Sequence, residues 1–198
     1  MRMLKPLFDS RTDHFSGSVT ASIELVQYGD FYCNNCETVY SEIKLLQEIM
    51  VSRLKFVFRH FPLPNIHPVS LEAAIAAEAA ALQQKFWHMH DIIFENRQYL
   101  TRSALFSFAK EIELDMELYE ASREHKKVFQ KVINDFESGV KSGVNMTPTF
   151  FINGLRYNGS NDFDSLYKAC NYLLTLKNME LNFINNLNFI YKQSKENL

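Results

Sequence analysis

The stretch that decides the fold is YGDFYCNNCETVY, residues 28–40, which carries two cysteines three positions apart. Residues 22–28 alternate apolar and polar side chains and are closed by a glycine, which is typical of a β-strand. Beyond the cysteines, apolar residues recur at helical spacing and predict a helix over 34–51. Cys33 and Cys36 are therefore expected where a strand ends and a helix begins.

A second strand and a long helical region follow in the sequence. Residues 54–61 have the aromatic and β-branched content of a strand, and prolines come directly after them. Apolar side chains at helical spacing then predict helices over 70–95, 101–112 and 117–140.

After this region the pattern returns to strands. TFFI at 149–152, the pair Asn153-Gly154 and LRYN at 155–158 predict a hairpin, because both central positions of a tight turn require positive φ. A helix over about 163–176 follows. The order of elements predicts an α/β fold whose first strand–helix–strand unit is parallel with a right-handed crossover.

The composition excludes several classes of partner. The chain has 198 residues, a net charge of −2 and a pI near 6.3, which give no electrostatic case for binding nucleic acid or an anionic membrane. No apolar run reaches the roughly 18 residues of a membrane span. Three cysteines are too few for a scaffold held by disulfides. Residues 1–15 are too interrupted by charge and proline for a signal peptide, so we expect a cytoplasmic protein.

The position of the cysteine pair favours redox chemistry. A sulfur at residue 33 would lie by the free N–H groups of the helix, whose dipole alone lowers a pKa by about one unit. Cys36 lies one turn further in and should be less exposed. This asymmetry suits attack on a disulfide by Cys33 and resolution of the mixed disulfide by Cys36.

Two other interpretations of the pair remain open. Half of a zinc site is one, but zinc usually needs four ligands, and only Cys170 remains, with no closely spaced histidine pair of the H-x₃₋₅-H kind. Two inert core thiols are the other. The sequence therefore favours a redox pair and predicts no metal.

Several motifs in order give the chain a family resemblance. It resembles the DsbA-like thiol–disulfide oxidoreductases of the thioredoxin fold in five segments: DHFSGS (13–18), YGDFYCNNC (28–36), FRHFPLPNIHP (58–68), FWHMHDIIFE (86–95) and SGVNMTPTFFING (142–154). The resemblance implies a thioredoxin fold with an all-helical insertion, about 65–142, between the βαβ half and the C-terminal ββα half. We expect one domain over 1–176 and a tail, 177–198, as a possible amphipathic helix.

The resemblance also implies a substrate site. Thr147-Pro148 should be a cis peptide beside the cysteine pair, and the backbone of Thr147 should pair with an extended substrate segment. The partners would be protein or peptide thiols and disulfides, with an electron donor or acceptor that the sequence does not identify. No cofactor or metal is required.

The chain departs from the family pattern in two places. Gln27 stands where many relatives have a buried acid, and an amide cannot titrate, so this possible proton-path position needs water or another group. Glu24 should face the opposite side of the strand. Asn34 and Asn35 bring no charge to the thiols, so we expect a Cys33 thiolate less stabilised than in the most oxidising members, with a pKa not below about 4.

Other conspicuous residues have simpler interpretations. Phe31 and Tyr32, which complete the active-site loop with the two asparagines, either contact substrate or are partly buried. His88 and His90 should point to different sides of a helix, which argues against a metal site. His60 and Cys170 are expected to be structural.

The sequence thus predicts a thiol–disulfide oxidoreductase, working as a reductase if the compartment is the cytosol. A glutathione-linked transferase or isomerase of similar architecture is the first alternative, although such chemistry needs only one activated residue and leaves Cys36 unexplained. A non-catalytic domain that binds a peptide or partner is the second.

Overall fold

The computed structural model describes residues 2–196 and, from residue 181 onward, the backbone alone except at Ile184. Five strands form one sheet in the order β1-β3-β2-β4-β5. Their bounds are β1 His14–Gly17, β2 Ile23–Gly29, β3 Leu54–His60, β4 Thr149–Ile152 and β5 Leu155–Arg156. Strands β2 and β3 are parallel, and the other pairs are antiparallel.

Helices account for most of the remaining chain. They are α1 Asn34–Met50, α2 Ser70–Ala81, α3 Phe86–Glu95, α4 Arg102–Glu111, α5 Met116–Arg123, α6 Lys126–Lys141 and α7 Phe163–Glu196, with 3₁₀ turns at Val51–Arg53 and Arg97–Tyr99. Helices α2 to α6 all lie between β3 and β4 in the chain. The predicted α/β fold with a helical insertion is confirmed.

The central strands are buried over nearly their whole length. Every residue of β3 is buried, and in β2 only Glu24 is partly exposed. Parallel strands covered on both faces read as continuous apolar runs, which explains the sequence of β3. Its two cations are neutralised: Lys55 Nζ lies 3.0 Å from Glu24 Oε2, and Arg59 forms a two-pronged ion pair with Asp13, with both N···O distances 2.8 Å.

Strand β1 and the division of one predicted helix were not predicted. Strand β1 is absent from the predicted elements because it is four residues long and carries no apolar alternation; it pairs with β3 through Phe15 opposite Val57. The predicted helix over 70–95 is divided into α2 and α3. Gln84 has a φ of 60°, and this left-handed residue ends the helical run without the glycine that usually marks such a place.

A second division separates α5 from α6 within the predicted helix 117–140. His125 has extended backbone, and its Nδ1 accepts a hydrogen bond from the backbone N–H of Lys127 at 3.1 Å. It therefore acts as an N-cap, a role in which histidine is not a strong sequence signal.

The predicted hairpin between β4 and β5 is confirmed. Asn153 and Gly154 have φ values of 48° and 78°, which are the positive values that the turn requires. The Asn153 side chain also accepts the backbone N–H of Glu24 at 2.8 Å, which ties the turn to β2.

The described part of the chain divides into two compact units, with the boundary between residues 158 and 159. The second unit contains α7. The predicted boundary between domain and tail, at residue 176, lies inside this helix, where the helix continues without a break. The predicted apolar face of the tail includes Phe183, Ile184, Leu187, Ile190 and Tyr191; of these, only Ile184 has a described side chain, and it is exposed. Among the described helices, none is both long and apolar enough to cross a membrane.

The contact between α6 and the sheet supplies a test of the packing. A Cβ at Gly139 would lie 2.6 Å from the ring of Phe61 and 3.1 Å from that of Tyr28. We expect Gly139→Ala to lower the free energy of unfolding by about 1–3 kcal/mol, because overpacking outweighs the gain in helix propensity. The exposed Ser107→Ala in α4 is the control, with a change within about 0.5 kcal/mol. Urea denaturation of both variants measures the difference, and an unchanged Gly139→Ala would contradict the close packing.

Candidate active site

Cys33 occupies the N-cap of α1, at the end of the loop that follows β2. Its backbone is extended, with φ −76° and ψ 124°, and its carbonyl accepts the N–H groups of Cys36 and Glu37, each at 3.1 Å. In the thiol form no side chain caps this helix. The sulfur therefore lies where an N-cap side chain would accept the free N–H groups of the first turn.

Asp30 holds this loop in place. Its buried carboxylate accepts the backbone N–H of Tyr32 at 2.8 Å, the backbone N–H of Leu63 at 3.0 Å and the Nδ1–H of His67 at 2.7 Å. These bonds join the cysteine loop to the proline-rich segment after β3. Asp30 was not among the predicted site residues, although an acidic residue three positions before the first cysteine is a visible signal.

The two thiols differ in their tendency to ionise. The pKa of Cys33 is lowered to about 5, first by a hydrogen bond from the Cys36 thiol and then by the Thr147 side chain and the backbone N–H groups of Cys36 and Asn35, against the opposing effect of burial. Burial, together with the neighbouring Cys33, raises the pKa of Cys36 well above its usual value. Both cysteines are free thiols here, and Cys36 has no exposed surface while Cys33 is 7% exposed.

Thr147 and Pro148 lie beside the first thiol. The peptide bond between them is cis, and the Cys33 thiol donates to the Thr147 carbonyl, with a sulfur–oxygen distance of 3.4 Å. Strand β4 begins directly after Pro148, so the cis peptide lies at the end of the sheet. The pairing of Thr147 with a substrate backbone stays a prediction.

The four other residues of the predicted active-site loop separate into two groups. Phe31 is 1% exposed and packs against Phe58 and Phe94, with ring centroids 5.3 and 5.1 Å away, which fits the buried alternative. Tyr32 is half-buried. Asn34 and Asn35 are exposed in the first turn of α1.

A cation that the sequence analysis missed reaches this loop from the insertion. Arg97 donates from Nη2 and Nε to the Tyr32 carbonyl at 2.7 and 3.2 Å, bonds the Asn34 side chain, and lies 3.2 Å from Glu37 Oε2. It follows α3 in a 3₁₀ turn, more than sixty positions from the cysteines. No local pattern links such distant residues, so Arg97 could not be predicted from the sequence around the cysteines.

Behind the thiols, Cys36 forms part of the wall of a cavity of about 210 Å³, here named the Cys36 cavity. It runs between one face of α1 and one face of α3. Its titratable and amide lining groups, with the tryptophan, are Gln27, Cys36, Tyr40, Lys44, Gln47, Trp87, His90 and Asp91. Gln27 is 3% exposed, as its predicted proton-path position requires, and Glu24 instead pairs with Lys55.

A buried ionic cluster elsewhere contains the described residues best placed to hold a metal. His60, Glu78 and Asp135 offer ligand atoms within 4.8 Å of one another. The Lys131 ammonium lies 2.6 Å from Asp135 Oδ2 and 3.9 Å from Glu78 Oε1, while His14 and His60 each contact the same Glu78 oxygen. The carboxylates are thus already engaged by one ammonium and two imidazoles, so the cluster is a buried polar network, which fits the predicted structural role of His60.

Burial bears on two more expectations. His88 is exposed and His90 is buried, so they face different sides of α3, as predicted. Cys170 is fully buried, and burial raises its pKa to about 12, which fits the predicted structural role.

Comparison with known proteins identifies the class. Residues 9–171 match the family model described as thioredoxin. The chain belongs to the thioredoxin family, and its fold is that of the DsbA-like proteins.

Solved structures of DsbA-like proteins show the same fold. The chain is similar to Wolbachia pipientis α-DsbA1, with a TM-score of 0.78 and 20% identity over 88% of this chain and 97% of that one. It is also similar to α-DsbA2, a thiol-disulfide exchange protein of the same organism, with a TM-score of 0.74 and 24% identity over 83% and 88% of the two chains. BdbD from Bacillus subtilis gives a TM-score of 0.74 and 21% identity over 84% and 95%.

Relatives with higher sequence identity carry a different name. Two are Na⁺/H⁺ antiporters NhaA: that of Mycolicibacterium vanbaalenii is 37% identical over 85% of this chain, and that of Herminiimonas arsenicoxydans is 38% identical over 81%. The chain spans only 28% and 25% of their respective lengths. A match to about a quarter of a protein does not bring the named antiport to this chain.

The contacts of Cys33 predict how its pKa responds to its partner. A hydrogen bond to a charged group contributes about 1.5–3 kcal/mol, so Cys36→Ala should raise the pKa of Cys33 by about 1–2 units from its value of about 5. Cys36→Ser, which keeps a donor, should raise it less. The pH dependence of alkylation by iodoacetamide measures these values.

Cys170→Ser is the matched control and should leave the pKa of Cys33 unchanged. If Cys36→Ala also left it near 5, the backbone N–H groups, and not the Cys36 thiol, would be the main cause of the lowering.

Proposed function

We propose that this protein is a thiol–disulfide oxidoreductase in which Cys33 is the attacking thiol and Cys36 the resolving thiol. The observation that carries the proposal is the opposite direction of the two pKa shifts at neighbouring sulfurs. At pH 7 a thiol with a pKa near 5 is almost wholly thiolate, which is the nucleophilic form. Its partner remains a protonated thiol until the second step.

The reaction balances without a cofactor. Cys33 thiolate attacks one sulfur of a substrate disulfide and forms a mixed disulfide with it. The substrate S–S bond breaks, and the other substrate sulfur leaves as a thiolate. Cys36 then loses its proton and attacks Cys33 Sγ, so a Cys33–Cys36 disulfide forms and the second substrate thiolate leaves. Two electrons pass to the substrate, and the reverse sequence oxidises a substrate dithiol.

The environment of Thr147 supports protein or peptide substrates. Its carbonyl contacts the Cys33 thiol, and β4 begins two residues further along the chain. An extended segment that paired with this backbone would present a disulfide to Cys33, which is a short form of strand addition. Tyr32, directly before Cys33 in the chain and half-buried, offers the segment an aromatic contact.

The ionisation of Cys33 also bears on the direction of electron flow. Because the pKa of Cys33 is lowered in the folded protein, its thiolate stabilises the reduced form of the protein. This stabilisation is complete above the ordinary thiol pKa of 9.0 and is lost as the pH falls through about 5. A stabilised reduced form makes the disulfide more easily reduced, by about 30 mV for each pKa unit. The cytoplasmic location and the reductase role stay predictions.

A redox equilibrium tests the proposal. The wild-type protein is equilibrated in glutathione buffers of stepped potential, free thiols are alkylated after acid quenching, and mass spectrometry counts the labels. We expect a two-electron transition that places the disulfide at Cys33 and Cys36. As the pH falls from 7 towards 5, the midpoint potential of this pair should rise less than that of a simple dithiol, because Cys33 stays a thiolate over most of this range. A midpoint below about −230 mV would support a reductase, and one near −120 to −180 mV an oxidant or isomerase.

Three single variants separate the alternatives. Cys170→Ser should reproduce the wild-type transition, Cys33→Ser should abolish it, and Cys36→Ser should accumulate a mixed disulfide between Cys33 and glutathione. Full activity of Cys36→Ser toward a small thiol-dependent substrate would favour the transferase or isomerase. If no Cys33–Cys36 disulfide formed in any buffer, the proposal would be wrong and a binding domain would take its place.

A further inference from the structure

The resolving step leaves a proton without an obvious acceptor. Cys36 is fully buried and its thiol must ionise before it attacks Cys33, yet Gln27, at the position where a carboxylate would accept the proton, cannot titrate. Asp30 is near in sequence, but its carboxylate already accepts three hydrogen bonds and does not line the Cys36 cavity.

The Cys36 cavity contains a second candidate. His90 is 4% exposed and stands on the α3 wall of the cavity, with Cys36 on the wall formed by α1. Its Nδ1 lies 2.9 Å from Asp91 Oδ1, whereas its Nε2 bonds to no residue that the structure describes. A buried nitrogen without a described protein partner, on a side chain that lines a cavity, is suited to water or to a proton.

The charges around His90 determine which nitrogen carries hydrogen. Burial lowers the pKa of His90, and hydrogen bonds from His90 and Lys44 lower the pKa of Asp91 against its own burial, so the pair is a neutral imidazole beside a carboxylate. Nδ1–H then donates to Asp91, and Nε2 keeps its lone pair. Lys44 Nζ binds the other Asp91 oxygen at 2.8 Å.

The other groups that face His90 are poorer acceptors. Apart from Cys36, which gives up the proton, they are Tyr40 and Lys44 on α1, Asp91 on its own helix and His60 on β3. Tyr40 donates to Glu95 at 2.8 Å and its pKa is raised, Lys44 is a cation, and both Asp91 oxygens are occupied. His60 is bonded to Glu78 and is not part of the cavity wall.

We propose that His90 accepts the Cys36 proton through water in the Cys36 cavity, and that Asp91 is the positioning residue that holds its tautomer. The cavity has room for several water molecules, since each takes about 30 Å³ of liquid volume. It also opens towards partly exposed Lys44 and Asp91, which gives the proton an exit to solvent.

The proposed step rests on the oxidoreductase function and balances as follows. In the mixed disulfide, the Cys36 proton passes through water to His90 Nε2 as Cys36 Sγ attacks Cys33 Sγ. The Cys33–substrate S–S bond breaks, and the electron pair leaves with the substrate thiolate. The imidazolium, paired with Asp91, then releases the proton to solvent. In the reverse direction the imidazolium protonates the leaving Cys36.

Glutathione disulfide in excess separates the two chemical steps. Reaction of the reduced protein is acid-quenched at intervals between pH 5.5 and 8.5, and mass spectrometry distinguishes glutathionylated Cys33 from the Cys33–Cys36 disulfide. In His90→Asn we expect glutathionylation at the wild-type rate and resolution slowed about tenfold or more, with a rate that rises in proportion to hydroxide. His88→Asn, on the exposed side of the same helix, is the matched control and should behave as wild type.

Two further variants distinguish the loss of the base from a general defect in folding. His90→Ala should be slow in resolution and be rescued by added imidazole, with the rescue following the fraction of neutral imidazole. Asp91→Asn should slow resolution less than His90→Asn, because the base remains and only its orientation is weakened.

The outcomes are distinct. Unchanged resolution in His90→Asn at every pH, an equal slowing of both steps, or a His90→Ala that imidazole does not rescue would each overturn the role of His90. Failure of the wild type and of His88→Asn to form any Cys33–Cys36 disulfide would instead refute the oxidoreductase function itself.

Discussion

The buried carboxylate of Asp30 is the constraint on which the site depends. It stands at the end of a central parallel strand and accepts donors from the cysteine loop and from the segment after the neighbouring strand. A buried ion needs such a complete set of partners, because an unsatisfied one would cost several kcal/mol. By satisfying it, the chain fixes the N-terminus of α1, and with it the place where Cys33 meets the free N–H groups of the helix.

Hydrogen bonds to one sulfur and burial of the other then give the two thiols opposite properties. Cys33 lies at the helix end among donors, so its negative charge is stabilised although it is almost fully covered. Cys36, one turn further in, lies where a charge is unfavourable. The same three-residue spacing that allows a disulfide therefore also separates a nucleophile from a thiol that stays protonated until it is needed, and this second thiol requires a route for its proton.

The sequence predicted what is local and missed what is distant. The β2–α1 junction, β3 and the Asn153-Gly154 turn follow from periodicity and from turn chemistry, because each depends on neighbours in the chain. The asymmetry of the thiols was predicted in direction for the same reason. Gln84 shows the limit even for local structure, since a left-handed glutamine carries no recognised stop signal. Arg97 and the Cys36 cavity arise only when the helical insertion packs on the sheet, and no spacing in the sequence encodes that contact.

The wall of the Cys36 cavity also includes Trp87, whose indole N–H donates to the Phe15 carbonyl at 3.0 Å. It is the only tryptophan in the chain. All indole fluorescence of this protein therefore originates from one ring that borders the same small volume as the resolving sulfur. A change of emission on oxidation would report on the surroundings of that ring, which gives the molecule an internal optical probe of its redox state without any label.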